Sequence, residues 1–312
     1  HLAYLNESGV NLQDGIITVG QDICIDGCHQ DCAIRIQSNL KRSPNDLDSS
    51  QRNQDKIIVS HPTFDLLNFD GRFNRRVNNE YQFVRLNNIG EKYIHKGYEI
   101  SFINSRYMIG SVMPIIKTPT GKTILYASDF LGFPSNLIDF DINIIILDSD
   151  YYDPNFDWNY AREDSAKIFL EVFTEKWSAN NCVAVTGSSG HIEEVIALIS
   201  RNVRCPMLLD RKLFEKIHIY RQHLGFSADV RLYNYKNRKD LEVRGEKYAA
   251  FFDIESRDYL DFDLNFRILI ENDILQSSSI LQRFSDGQVR VIWPNRADFK
   301  EKIKLVDHVK PD

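Results

Sequence analysis

In the first half of the chain, apolar positions come as short β-branched runs separated by polar or glycine-containing breaks. "GIITVGQDICIDG" at 15–27 gives two such runs about Gly20, and "KIIVSH" at 56–61 gives a third. "YEISFINS" at 98–105 alternates, which turns one face of a strand toward a core. "GSVMPIIKT" and "KTILYASDF" flank "PTGK", whose Pro119 and Gly121 mark a hairpin turn. "INIIILDSD" at 142–150 is apolar along most of its length, the pattern of a strand buried on both faces. One early segment breaks the series. "DCAIRIQSNLK" at 31–41 has Ala33, Ile34, Ile36 and Leu40 at helical spacing behind Asp31, so a helix with an Asp31 cap is predicted there. "SPNDLDSSQRNQD" at 43–55 predicts a polar loop.

From 162 onward the period changes. "REDSAKIFLEVFTEKW" carries Ile168, Phe169, Val172, Phe173 and Trp177 as one helical stripe. "CVAVTG" (182–187) and "CPMLLD" (205–210) read as strands, each followed by a helix, at 190–202 and 211–225. Such alternation predicts a small parallel sheet. After 230 the pattern weakens. "FRILIEND" (266–273) and "VRVIWP" (289–294) are the strands it supports, and "NYKNRKDLEVRGEKY" (234–248) reads as a charged connection. The fold class predicted is α/β, with a strand-rich domain over 1–150 and an α/β domain over 151–312.

Composition narrows the function more than the fold. The 312 residues are 43% hydrophobic and 26% charged, an ordinary globular balance. A net charge of -6 argues against a chain that coats nucleic acid, though it leaves a local basic groove open. No apolar run reaches the roughly 20 residues of a membrane span, and the first residues lack a signal pattern. Five cysteines, an odd set in a chain this long, predict no disulfide framework. A cytoplasmic, reducing setting without a membrane is the expectation. The chain starts on His rather than Met, so it reads as a portion of something longer.

Candidate chemistry gathers at predicted strand ends. "VSHPTFDLLNF" (59–69) spaces His61, Thr63, Asp65 and Leu66 as a metal motif would, with two positions changed. Asp26 ends "DICIDG", Asp129 ends "ILYASD", Asp148 ends "IIILD", and "SRYMIGS" sets Tyr107 ahead of Gly110 and Ser111. In this order the segments resemble the metallo-β-lactamase fold. "IIILDSDYYD", "VAVTGSSGHIEEVIALI" and "CPMLLDRKLFEKIHIY" extend the resemblance to its β-CASP nuclease subfamily, which includes RNase J and the pre-mRNA 3′-end endonuclease. The likeness covers roughly residues 15–225.

The resemblance implies an αββα sandwich over 1–150 and an inserted or appended β-CASP-like α/β cassette over 151–312, with a possible return segment at the C-terminus near His308. It places Asp26 as the first-motif acid, His61, Asp65 and Asp129 as metal ligands, and Asp148 as the first cassette acid. Gly190, His191 and Glu194 fall on the cassette's helix-start motif. Thr63, Leu66 and Tyr107 stand where the family has histidines. Leu offers no lone pair, and neutral Thr and Tyr oxygens are poor substitutes for imidazole at zinc. One His and several carboxylates are too little nitrogen for two zinc ions, although oxygen ligands suit one Mg²⁺ or Mn²⁺. The implied protein is a silent pseudoenzyme without cofactor that binds a protein partner, such as an active nuclease sister or a larger assembly, or RNA or DNA. The alternative is a metal-dependent phosphodiesterase or nuclease, with Asp65 and Asp129 catalytic around one or two Mn, Mg or Zn ions.

Other stretches offer weaker chemistry. Cys24, Cys28, His29 and Cys32 crowd together, but their spacing matches no standard zinc knuckle, and small core cysteines are the plainer reading. "TGSSGH" (186–191) could hold a phosphate at a helix start, or simply be a turn with a cap. Ser188 or Ser189 beside His191 suggests a nucleophile without an identified acid. "GRFNRR" (71–76) could touch a nucleic-acid backbone or be a solvated loop. "DSDYYDPNFDWNY" (148–160) offers interface anchors or linker packing.

Overall fold

The computed structural model describes residues 9–13, 16–27, 31–40, 56–70, 82–87, 90–134, 137, 140–148, 161–179, 182–256, 266–271, 279–294 and 296–312. The chain is mixed α/β and forms two compact units. Unit 1 is His1–Pro154 together with Arg296–Asp312, and unit 2 is Asn155–Asn295.

Unit 1 holds two mixed sheets. The first runs β1 (Val10–Gln13), β2 (Ile16–Val19), β3 (Ile23–Ile25), β4 (Ile34–Gln37), β5 (Lys56–Ser60) and β6 (Gln82–Leu86), in that spatial order. From β3 to β6 the neighbours are parallel. The second sheet has the order β11 (Ile144–Leu147), β10 (Thr123–Ala127), β9 (Val112–Lys117), β8 (Tyr98–Asn104) and β7 (Lys92–His95). The two sheets bury one shared core. Ile23, Ile25, Ile34, Ile36 and Ile58 from the first meet Ile100, Phe102, Val112, Ile116 and Tyr126 from the second. Strand alternation sends the intervening residues to the outer faces. On the first sheet, Ile57 and Val59 are buried beside α1 (His61–Phe69), whose Phe64 ring packs edge-on at 5.2 Å against Phe83. On the second, Met113, Ile115 and Leu125 are covered by Leu305 of α6 (Phe299–Val309). The layers of unit 1 therefore run helix, sheet, sheet, helix.

Two expectations are corrected here. Residues 31–40 form no helix. Ile34 and Ile36 point into the sandwich core and Arg35 and Gln37 to the other face, a period of two in a strand flanked on both sides by parallel neighbours. β-branched residues at alternate positions satisfy the sheet, and tertiary pairing overrode the apparent helical spacing. "INIIILDSD" is not a strand buried on both faces. Among the described residues β11 is the edge of its sheet, paired with β10 alone, and three of its four residues are half-buried.

Unit 2 is built on one seven-stranded sheet. Its order is β14 (Val230–Leu232), β13 (Met207–Leu209), β15 (Ala249–Asp253), β12 (Val183–Gly187), β16 (Arg267–Glu271), β18 (Val289–Ile292) and β17 (Leu281–Arg283), parallel except for the β17 edge. The helices between strands are α2 (Arg162–Ser178), α3 (Ile192–Asn202), α4 (Arg211–Leu224) and α5 (Tyr235–Val243). Leu241 of α5 packs on the face lined by Ala184, Leu208, Ala250 and Phe252. Ile192 of α3 packs on the opposite face, by Gly187. The strand order turns back at β12, the arrangement that opens a crevice at the carboxyl ends of parallel strands.

No helix among the described residues is long and apolar enough to cross a membrane.

Candidate functional site

Parallel pairing of β3, β4 and β5 brings their carboxyl ends to one edge of the first sheet. Asp26, Ser38–Asn39 and His61 follow those ends in turn. Asp26 sits in the left-handed region at φ 52, where Asp is among the more tolerant side chains. Its carboxylate accepts hydrogen bonds from Ser38 N at 2.7 Å and Ser38 Oγ at 2.5 Å. Asn39 Nδ2 donates to Ser38 Oγ at 3.2 Å and to Asp129 Oδ2 at 3.0 Å. Asp129 follows β10, so this chain of contacts ties the two sheets together. The other carboxylate oxygen of Asp129 lies 3.0 Å from Arg296 Nε. The Arg296 guanidinium also lies over the Tyr107 ring, 5.4 Å from its centroid. Asp129 and Tyr107 are buried, whereas the Arg296 side chain keeps 24% of its exposure.

The metal-motif segment 61–66 is the first part of α1 rather than a loop. Ser60 caps it, accepting from Thr63 N at 3.3 Å, and Pro62 stands where a missing N–H costs nothing. Thr63 Oγ1 donates to Gly110 O at 2.9 Å, and Ser60 Oγ donates to the same carbonyl at 2.6 Å. Gly110 must be glycine for this contact. Its φ is +79, and a Cβ would stand 2.5 Å from Thr63 Oγ1. Leu66 is 0% exposed and is part of the core. His61 and Asp65, four apart on one helix face, are half-buried.

The second motif acid is also engaged. Asp148 follows β11, and Lys302 Nζ of α6 donates to its backbone oxygen at 3.2 Å and its Oδ1 at 3.4 Å. Lys302 is 2% exposed, so its ammonium needs this partner. Both basic residues belong to the return segment 296–312. A further pair fixes that segment's far end, Lys122 Nζ to Asp312 Oδ2 at 2.6 Å. Sequence reasoning singled out His308 there, and its ring packs on Phe133 at 4.3 Å. Arg296 and Lys302 carried no local signal.

Do these residues fit two divalent ions? Thr63 Oγ1 gives its proton to Gly110, Leu66 has no donor atom, and Tyr107 faces a guanidinium. Asp129 is already paired with a cation. The donor set does not fit. Among the described residues, no three or more of His, Cys, Asp and Glu come together in a group able to hold a metal.

Unit 2 places its acids differently. Gly190, at φ +99, turns the chain from β12 into α3. Its N–H donates to Glu193 Oε2 at 2.6 Å, while Ser189 Oγ at 3.2 Å and Tyr220 OH at 2.9 Å donate to Glu193 Oε1. Burial holds the Glu193 carboxyl above the usual carboxylate range, ahead of the opposing effects of these bonds. A side-chain carboxylate thus already occupies the helix start, which corrects the idea of a phosphate site in "TGSSGH". Ser188 Oγ lies 2.8 Å from Nδ1 of buried His191, a side-chain contact closed within three residues. Glu194 ion-pairs with Arg162. At neighbouring strand ends, Asp210 caps α4 through Leu213 N at 2.8 Å and accepts from Asp253 N at 2.7 Å. Asp253 in turn pairs with Lys212 at 3.0 Å. Glu193 and Asp253 escaped the sequence reading. Asp210 had a visible signal, an Asp immediately before a helical pattern.

Cys24 and Cys32 are both buried, and Cys24 Sγ donates to Gly27 O at 3.2 Å. Cys28, His29, residues 43–55, "GRFNRR" and residues 149–160 of the aromatic stretch lie outside the described residues.

No family model and no curated protein matches this chain. Among solved structures, it is similar to a protein of unknown function from Enterococcus faecalis V583, with a TM-score of 0.60 and 12% identity. The similarity covers 89% of this chain and 73% of that one. At that identity it is the fold that is shared.

Proposed function

We propose that this chain is a degenerate metallo-β-lactamase-type protein with a β-CASP-like second unit, and that it acts as a catalytically silent binding subunit. Its ligand would be a protein partner, such as an active nuclease sister, or a nucleic acid. The layered order of unit 1 and the parallel sheet of unit 2 agree with that reading. One observation carries it: Thr63, Leu66 and Tyr107, the positions where the resemblance calls for imidazole, are each at most 1% exposed and committed to the fold. Thr63 clamps Gly110, Leu66 fills the core, and Tyr107 backs Arg296. Side chains with those duties are not awaiting a metal.

The test has two arms. Purified protein is incubated with a generic phosphodiester, bis(p-nitrophenyl) phosphate, with and without Mn²⁺. The expected result is no turnover above background in either case. Pull-down with and without nuclease treatment then separates a protein partner from a nucleic acid. Mn²⁺-dependent turnover that disappears in Asp129→Ala would replace this reading with that of a metal-dependent phosphodiesterase.

A further inference from the structure

A carboxylate buried as deeply as Asp129, at 4% exposure, requires a proton or a cation beside it. The arrangement around it suits one cation in particular. Asn39 fixes one oxygen at 3.0 Å, and Arg296 Nε lies 3.0 Å from the other. Tyr107 offers the flat face on which a guanidinium packs well and a metal ion does not. Ala297 N donates to Phe130 O at 2.6 Å, which pins the backbone beside Arg296 to the residue following Asp129. Ser38 completes the support by joining Asn39 to Asp26.

We infer that Arg296 is the resident cation of the pocket formed by Asp26, Ser38, Asn39, Tyr107 and Asp129. It is a guanidinium held where a dissociable ion would otherwise have to sit. The cluster takes a planar monocation that can both ion-pair with Asp129 and lie over the Tyr107 ring, and is closed to divalent metals while the return segment is in place. The inference rests on the silent-pocket reading for its functional meaning, but its test does not depend on turnover.

That test is chemical rescue. Arg296→Ala removes the guanidinium and should lower the melting temperature of unit 1 by on the order of 5–10 °C. Ethylguanidinium at millimolar concentration should recover at least half of the loss. Equal concentrations of Mn²⁺ should recover none, and the double variant Arg296→Ala, Asp129→Asn should show no rescue. If Arg296→Ala does not fold, Arg296→Gln keeps the chain length, loses the charge and is scored in the same way. An unchanged melting temperature overturns the inference, as does rescue by Mn²⁺ equal to that by ethylguanidinium. Metal-independent turnover by the wild type with intact guanidinium rescue would sink the binding-subunit reading and leave this inference standing, whereas Mn²⁺-dependent turnover lost in Asp129→Ala would overturn both. A silent wild type without rescue would do the reverse.

Discussion

Each unit gathers acids at the carboxyl ends of parallel strands, and the two neutralise them in opposite ways. In unit 2, Asp210 and Glu193 are used within three residues, as acceptors at the starts of α4 and α3, and Asp253 pairs with Lys212 of the neighbouring helix. In unit 1, Asp129 and Asp148 depend on Arg296 and Lys302, which lie 150 or more residues away in sequence. Asp210 and Glu193 are thus components of a helix start. Asp129 and Asp148 are charges whose partners arrive only when distant parts of the chain meet. Acids at strand ends are therefore not in themselves the mark of an active site. What distinguishes the two cases is where the compensating donors come from.

The largest expected effect tests whether the altered metal-motif positions are structural. Leu66→Ala should destabilise unit 1 by about 3 kcal/mol, as a fully buried leucine does. Hydrogen exchange of unit 1 peptides reads this separately from unit 2, and a loss below about 1 kcal/mol would mean Leu66 is not core. Next, Asp210→Ala should cost unit 2 about 2 kcal/mol, through the lost cap and the buried Asp253 amide left without its acceptor. All three tryptophans lie within 155–295, so their fluorescence during urea unfolding reports on that unit alone. No change in the urea midpoint would break the claim that Asp210 is spent on the fold of unit 2. Thr63→Val should cost about 1 kcal/mol, since Ser60 still serves the Gly110 carbonyl. A cost above about 3 kcal/mol would mean the hydroxyl has a second duty.

The smallest effect is a pH dependence. Glu193 has its carboxyl raised by burial, so its contribution to stability is fully present below the ordinary carboxylate range. It is lost as pH rises through the raised value, because the folded state binds the extra proton. The urea midpoint of wild type relative to Glu193→Gln should therefore be most favourable in acid and decline toward neutrality. A difference that grows with pH would reverse the sign assigned to Glu193.

Legibility followed the range of the interactions. The helices at 162–178 and 211–224 were plain in their apolar stripes, and the Pro119–Gly121 hairpin in its turn residues. β4 was misread because four residues of Ile-Arg-Ile-Gln are too short to separate the two periods, and only its neighbours on both sides decide. α1 was missed because its cap and proline sit inside a stretch that also looks like a metal motif. α5 and α6 were missed because their apolar faces are narrow, Leu241 in one and Leu305 in the other. At the candidate site, the strand-end acids were visible in order and spacing. Arg296 was not, since nothing near it in sequence distinguishes it from a surface arginine.

The return segment also sets a timetable for synthesis. Leu305 closes the outer core of the second sheet, and Arg296 answers the buried charge of Asp129, yet both emerge from the ribosome after all of unit 2. The N-terminal half must wait, with an apolar face and an uncompensated carboxylate, while the inserted unit has everything it needs to fold first. A nascent chain halted before residue 296 should be a client for chaperones in its first half and already compact in its second.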